Sequence, residues 1–154
     1  MHLSQHFTLG EVTKTSVKTA DGNIPSHMAI ENLKNLCENW LEELRENYNM
    51  IYEGVGDCKG DEPIIINSGY RSPEVNRAVG GSPTSNHLTG CAVDIRCYGI
   101  EQAIRYACIL LDIADGTHRD YDELLIERST RGNYWIHFAV RPKDNRRKTA
   151  IVLK

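Results

Sequence analysis

Between Ser26 and Tyr48 the apolar residues Leu33, Leu36, Cys37, Trp40, Leu41, Leu44 and Tyr48 recur at i, i+3, i+4, i+7, i+8, i+11 and i+15. A stripe with a period of about 3.6 predicts an amphipathic helix with these residues inward and Trp40 in the core. Upstream, Thr8-Leu9-Gly10-Glu11 has the T-x-x-E spacing of a capping box. That predicts one helical turn, then a loop through Asp21-Gly22-Asn23. Downstream, residues 53–63 are rich in Gly, Asp and Lys and read as a loop, and Ile64-Ile65-Ile66 reads as a short buried strand. Ser72-Pro73 sets a cap and a first-turn proline at the start of a brief helix that stops at Gly80-Gly81.

From Cys91 to Cys97 the pattern alternates, which predicts a strand. Ala92, Asp94 and Arg96 share one face; Cys91, Val93, Ile95 and Cys97 share the other. A second long helix is expected over residues 100–112, with Ala103, Ile104, Ala107, Cys108 and Leu111 inward. Residues 123–128 and 134–140 read as two strands joined by a tight turn at Arg131-Gly132-Asn133. A three-residue turn at that position sets Glu127 directly opposite His137. Helices and strands are segregated without a regular βαβ repeat, so a single α+β domain is expected, with a small, mainly antiparallel sheet and flanking helices. Residues 1–25 form an anchor segment in this reading, and residues 141–154 a basic tail.

The chain has 154 residues, of which 40% are hydrophobic and 25% charged, enough to bury a core without staples. With 18 basic and 21 acidic residues the net charge is −3, which argues against nucleic-acid binding through bulk positive charge. The basic cluster from Arg141 to Lys148 reads as solvated. No stretch approaches the ~18 apolar residues of a membrane span. No basic region followed by an apolar run opens the chain, so no signal peptide is expected. Five cysteines without a C-x-x-C spacing suggest reduced thiols, with Cys91 and Cys97 as small core residues facing away from Asp94.

Four of the six histidines, His2, His6, His27 and His118, sit alone in polar surroundings and read as surface residues. His87 lies in a loop that leads into the strand carrying Asp94. His137 lies in the middle of another strand, with Ile136 and Phe138 pointing the other way. An aspartate among apolar strand residues is costly unless it is paired or holds a cation. Two histidines and one carboxylate are a common shell for catalytic zinc, with the fourth position left to water. The spacing alone equally allows a His–Asp hydrogen bond in the core.

The run Ser68-Gly69-Tyr70-Arg71-Ser72-Pro73-Glu74-Val75-Asn76, followed by Val79 to Asp94 with its S-x-H-x-x-G-x-A-x-D pattern, resembles the M15 family. That family comprises zinc D-Ala-D-Ala carboxypeptidases and related murein peptidases, including phage endolysins. The strand Trp135 to Val140 resembles its W-x-H block, and His6-Phe7-Thr8-Leu9 the start of members with an N-terminal helix. The resemblance runs from about residue 6 to residue 140. It implies one zinc ion on the sheet face, held by His87, Asp94 and His137. It also implies an arginine, Arg71, on the scissile carbonyl or a substrate carboxylate, with Ser85 as a further substrate contact. A structural salt bridge is the alternative for Arg71.

One element departs from the pattern. Many members carry an acid or a histidine two or three residues before the third ligand, where Trp135 and Tyr134 stand here. Glu127 is the expected general base, with Asp122 and Glu123 as fallbacks. The implied function is zinc-dependent hydrolysis of a peptide bond in peptidoglycan stem peptides, either D-Ala–D-Ala or L-Ala–D-Glu. The alternative is a non-catalytic, zinc-stabilised peptide- or murein-binding module on the same fold. A monomer is expected, made in the cytoplasm and acting in the cell wall or periplasm, as a phage-type lysin would.

Overall fold

The Thr8 hydroxyl accepts a hydrogen bond from the Glu11 amide while the Glu11 carboxylate accepts one from the Thr8 amide, so the capping box closes and starts α1, Leu9–Thr13. In the computed structural model, which describes residues 1–153, Ser26 caps α2, His27–Leu36. This helix runs through one π-helical turn, Cys37–Leu41, into α3, Glu42–Tyr52. All seven stripe residues are buried. The wider π turn takes in one extra residue. Both adjacent pairs, Leu36–Cys37 and Trp40–Leu41, face the core. The helix extends one turn beyond the expected end at Tyr48.

The remaining elements are β1 (Ile66–Ser68), α4 (Pro73–Ala78), β2 (Ala92–Cys97), α5 (Ile100–Thr117), β3 (Glu123–Arg128), β4 (Tyr134–Ala139) and β5 (Lys148–Leu153). The strands form one sheet in the order β1-β2-β4-β3-β5, antiparallel except for the parallel pair β3–β5. The long helices cover one face: Trp40 packs on Phe138 at 5.1 Å between rings, and Tyr48 meets Tyr106 edge-on at 4.9 Å. The architecture is the expected single α+β domain. No helix among the described residues is long and apolar enough to cross a membrane.

Four local readings are corrected. The strand expected at residues 64–66 begins at Ile66 instead; Ile64 and Ile66 are buried, but regular pairing with β2 runs only to Ser68 and contains an irregularity between Ile66 and Ser68. An apolar run marks what is buried, whereas the ladder is decided by the partner strand. Helix α5 reaches Thr117, and its buried residues are Ala103, Tyr106, Ala107, Ile109, Leu110, Ile113 and Ala114, with Ile104 and Cys108 exposed. Its sequence is apolar on several sides and supports two stripes that share Ala103 and Ala107. The contact of Tyr106 with Tyr48 fits the observed one.

The turn between β3 and β4 is Thr130-Arg131-Gly132. Ser129 N–H donates to the Asn133 carbonyl at 2.9 Å, and Gly132 N–H to the Ser129 carbonyl at 3.0 Å, with Gly132 at φ +84°. One residue's shift in the turn moves the pairing by two, so Trp135 faces Glu127 and Leu125 faces His137. Finally, the basic C-terminal segment is not a solvated tail. It supplies β5, and its arginines reach back to acids: Arg147 to Asp115 and Asp120, Arg141 and Arg146 to Asp122.

Asp122 is fully buried. Burial would raise its pKa, but hydrogen bonds from Arg146 and Asn86 and the charge of Arg141 outweigh it and hold the carboxyl at about 2. A carboxyl depressed on folding stabilises the protein above its unfolded value near 4 and loses that contribution as pH falls through about 2. Asp122→Asn is therefore expected to cost about 2 kcal/mol at neutral pH. Urea melts as a function of pH should show that difference shrinking between pH 4 and pH 2. A difference independent of pH would contradict the assignment.

Candidate metal centre

After β1 the chain passes so close to α1 that a side chain at Gly69 would collide with the Val12 carbonyl. Tyr70 N–H donates to that same carbonyl at 2.8 Å. The Gly69 carbonyl is thereby aimed at His87, whose Nδ1–H donates to it at 2.6 Å. His87 belongs to a 3₁₀ turn, Asn86–Thr89, capped by the Ser85 hydroxyl, which accepts from the His87 amide at 3.2 Å. Gly90 ends the turn at φ +72°, against the backbone of Ala29, where no side chain fits. The chain then enters β2, and the β2–β4 register sets Asp94 directly opposite His137.

Together these constraints gather His87, Asp94 and His137, whose ligand atoms all lie within 4.8 Å of one another. His87 Nε2 is 3.3 Å and His137 Nδ1 is 3.1 Å from Asp94 Oδ1. All three residues are buried. With its Nδ1–H committed to Gly69, His87 turns its buried Nε2 toward the group, where it lies 3.3 Å from Asp94 Oδ1 without making a hydrogen bond to any described residue. A buried polar atom left unpaired calls for an explanation, and a metal ion supplies one.

Burial alone would raise the Asp94 pKa, but the two imidazoles hold it well below the usual carboxylate range. Burial alone would lower the His137 pKa, but hydrogen bonds to Asp94 and Glu123 push it up to about 9. The two carboxylates thus favour a proton on each nitrogen of the ring between them, and a cation bound on the Asp94 side would take the place of the Nδ1 proton. The donor set, two imidazoles and one carboxylate, fits a metal ion with a position left open.

The group lies on the wall of a cavity of about 370 Å³, also lined by Arg71, Ser85, Glu127 and Trp135. Arg71 donates from Nε to Ser68 Oγ at 3.1 Å, from Nη1 to Asn76 Oδ1 at 3.2 Å and from Nη2 to Asp94 Oδ2 at 3.3 Å. Any side chain at Gly81 would strike Asn76 and the guanidinium. Arg71 is therefore both a salt-bridge partner of Asp94 and part of the cavity wall. A second cavity of about 470 Å³, lined by Asn67, Arg96, Tyr98 and Asn133, also borders Trp135.

The three acids considered as bases are separated by the fold. Leu125, not Glu127, faces His137; Glu123 and Glu127 flank Leu125 on the same sheet face, one diagonal step to either side. Glu127 lines the cavity. Glu123 Oε1 accepts from His137 Nε2 at 3.0 Å. Asp122 is sequestered among Arg146, Arg141 and Asn86. Sequence reasoning missed the contacts of Glu123 with His137 and Asn86, and the place of Trp135 between two cavities. The alternation Glu123, Leu125, Glu127 was the available signal, since it puts two carboxylates on one face.

One equivalent of divalent metal is expected to purify with the protein. His87→Ala and Asp94→Ala should each abolish it in elemental analysis of the folded protein. Full metal content in both variants would remove the site.

Among known proteins, the peptidase M15 family model matches residues 5–114. The match takes in Arg71, Ser85, His87 and Asp94 and stops before β3 and β4, which carry Glu127 and His137. No curated protein matches the chain. The family model covers well over half of the sequence, and the sheet completes its His–Asp pair with a second histidine; the chain belongs to the peptidase M15 family.

Proposed function

We propose that this protein is a zinc-dependent peptidase that cuts one peptide bond in peptidoglycan stem peptides. The reading is carried by the convergence of His87, Asp94 and His137 on the wall of an open cavity, with the buried His87 Nε2 turned into the group and making no hydrogen bond to any described residue. His87, Asp94 and His137 would hold the ion. Zinc bound there supplies Lewis-acid polarisation of the scissile carbonyl and brings the pKa of the attacking water to about 7.

The chain's own side chains do the rest. The Glu127 carboxylate accepts the proton of the attacking water and returns it to the leaving amine. Its place on the cavity wall, one diagonal step from His137, supports that role and answers the missing acid before His137. The Arg71 guanidinium, steadied by Ser68, Asn76 and Asp94, binds the developing oxyanion or a substrate carboxylate. The Ser85 hydroxyl lies on the same wall, within reach of substrate. A second cavity on the other side of Trp135 suits an extended peptide better than a compact small molecule. A stem peptide is such a chain, whether the bond cut is D-Ala–D-Ala or L-Ala–D-Glu.

Mass spectrometry of purified muropeptides incubated with the zinc-loaded protein is the direct test. Loss of one D-Ala identifies a carboxypeptidase, and release of the peptide after L-Ala an endopeptidase. Binding without cleavage leaves a murein-binding module. Arg71→Ala is expected to lower kcat/KM on the order of 10²-fold or more. A fall in kcat ties the guanidinium to the oxyanion, and a rise confined to KM ties it to a ground-state carboxylate. Wild-type values of both would make Arg71 structural. Glu127→Gln should keep its zinc and lose about 10²–10⁴ in turnover; near-normal turnover would take the base role away from it.

A further inference from the structure

His137 is gripped at both ring nitrogens. Nδ1 faces Asp94 and the metal group, and Nε2 lies 3.0 Å from Glu123 Oε1 on the far side of the ring. A ligand imidazole must present a lone pair to the metal and carry its proton on the other nitrogen. A carboxylate on that second N–H selects the tautomer, stops the ring from rotating and makes the ligand more basic. Glu123 stands where such a carboxylate is needed.

Its carboxylate is itself built in. Asn86 Nδ2 donates to Glu123 Oε1 at 2.7 Å and to Asp122 Oδ2 at 2.7 Å. Asn86 Oδ1 accepts from Arg141 Nε at 3.0 Å, which orients the amide. Asp122 receives Arg146 Nε at 3.0 Å and Nη2 at 2.8 Å, and Arg146 Nη2 also lies 3.8 Å from Glu123 Oε2. Asn86 directly precedes His87, so the residue that steadies the support of one ligand is the chain neighbour of another. Glu123 Oε1 is already engaged by His137 and Asn86, and among these acids the substrate cavity is lined by Glu127 and not by Glu123. That geometry fits Glu123 to a supporting role beside His137 and not to contact with substrate.

We infer that Glu123 is a positioning residue for the metal ligand His137, and that Asn86, Asp122 and Arg146 hold its carboxylate in place. The inference rests on His137 being a metal ligand in the proposed zinc site, but not on what the site cleaves. It also gives the basic C-terminal segment a function: Arg141 and Arg146 brace the metal centre from outside it.

The test is zinc affinity, measured by chelator competition on the full-length protein, together with the visible spectrum of the cobalt-substituted form. Glu123→Ala is expected to weaken zinc binding by about 10–100-fold and to alter the cobalt spectrum. Glu123→Gln keeps an oxygen that can accept from His137 Nε2–H and should retain most of the affinity. Asn86→Ala should produce an intermediate loss, which keeps the inference testable should Glu123→Ala fail to fold. Wild-type affinity and spectrum in both Glu123→Ala and Asn86→Ala would overturn it. So would a Glu123→Gln protein that keeps its zinc but loses turnover as a missing general base would, or a wild-type protein that binds no zinc. A wild-type protein that binds zinc but cleaves no muropeptide removes the peptidase reading alone and leaves the zinc-affinity test intact.

Discussion

The opposition of Asp94 and His137 across β2 and β4 is the constraint on which the rest of the molecule depends. Directly opposed residues in an antiparallel pair share a face with their Cβ atoms about 4.5–5.5 Å apart. A carboxylate buried there without partners would cost several kcal/mol. It is tolerated because His87, His137 and Arg71 converge on it. The same register sends Val93, Ile95, Ile136 and Phe138 to the opposite face, where all four are fully buried under the helices. A slip of one residue would drive Asp94 into that apolar layer and expose the core. The His–Asp–His group and the hydrophobic core are therefore specified by one pairing.

The sheet thus has a dry face and a chemical face, and the two are joined by close backbone approaches. Gly69 and Gly90 let the segment around His87 lie directly against α1 and α2, so the ligand loop is anchored to the helical layer and not only to the sheet. Gly81 does the same for Arg71 by leaving room for Asn76. These contacts explain why the motif around His87 needs glycines at those places. They bring backbone carbonyls and amides near enough to orient an imidazole and a guanidinium.

Charge is handled in the same economical way. The C-terminal arginines neutralise Asp115, Asp120 and Asp122 while adding β5 in parallel to β3. Burying Asp122 beside these cations keeps it ionised, and Asn86 couples it to Glu123 and so to His137. A cluster that reads from composition as a solvated basic patch is in this fold tied by ion pairs to Asp115, Asp120 and the buried Asp122.

Much of this was legible in the order of residues. The capping box at Thr8, the stripe from Leu33 to Tyr48, the cap at Ser72 and the alternation through Asp94 are local patterns, and local geometry reproduces them. The spacing of His87 and Asp94 is local, whereas His137, 43 residues beyond Asp94, was grouped with them only by the resemblance to the M15 family. What the order of residues left open was every quantity that depends on two distant segments meeting. The inward face of α5 follows the packing of Tyr106 on Tyr48, because its apolar residues allowed two stripes. The partner of His137 on β3 hangs on where a three-residue turn begins, and a displacement of one residue there exchanges Glu127 for Leu125. The separate surroundings of Asp122, Glu123 and Glu127, three acids within six residues, arise only once Asn86, Arg141 and Arg146 arrive from elsewhere in the chain. Residue type and local period determine which side chains can do chemistry and which can be buried; long-range register, a competition among whole strands and helices, decides which of them face one another.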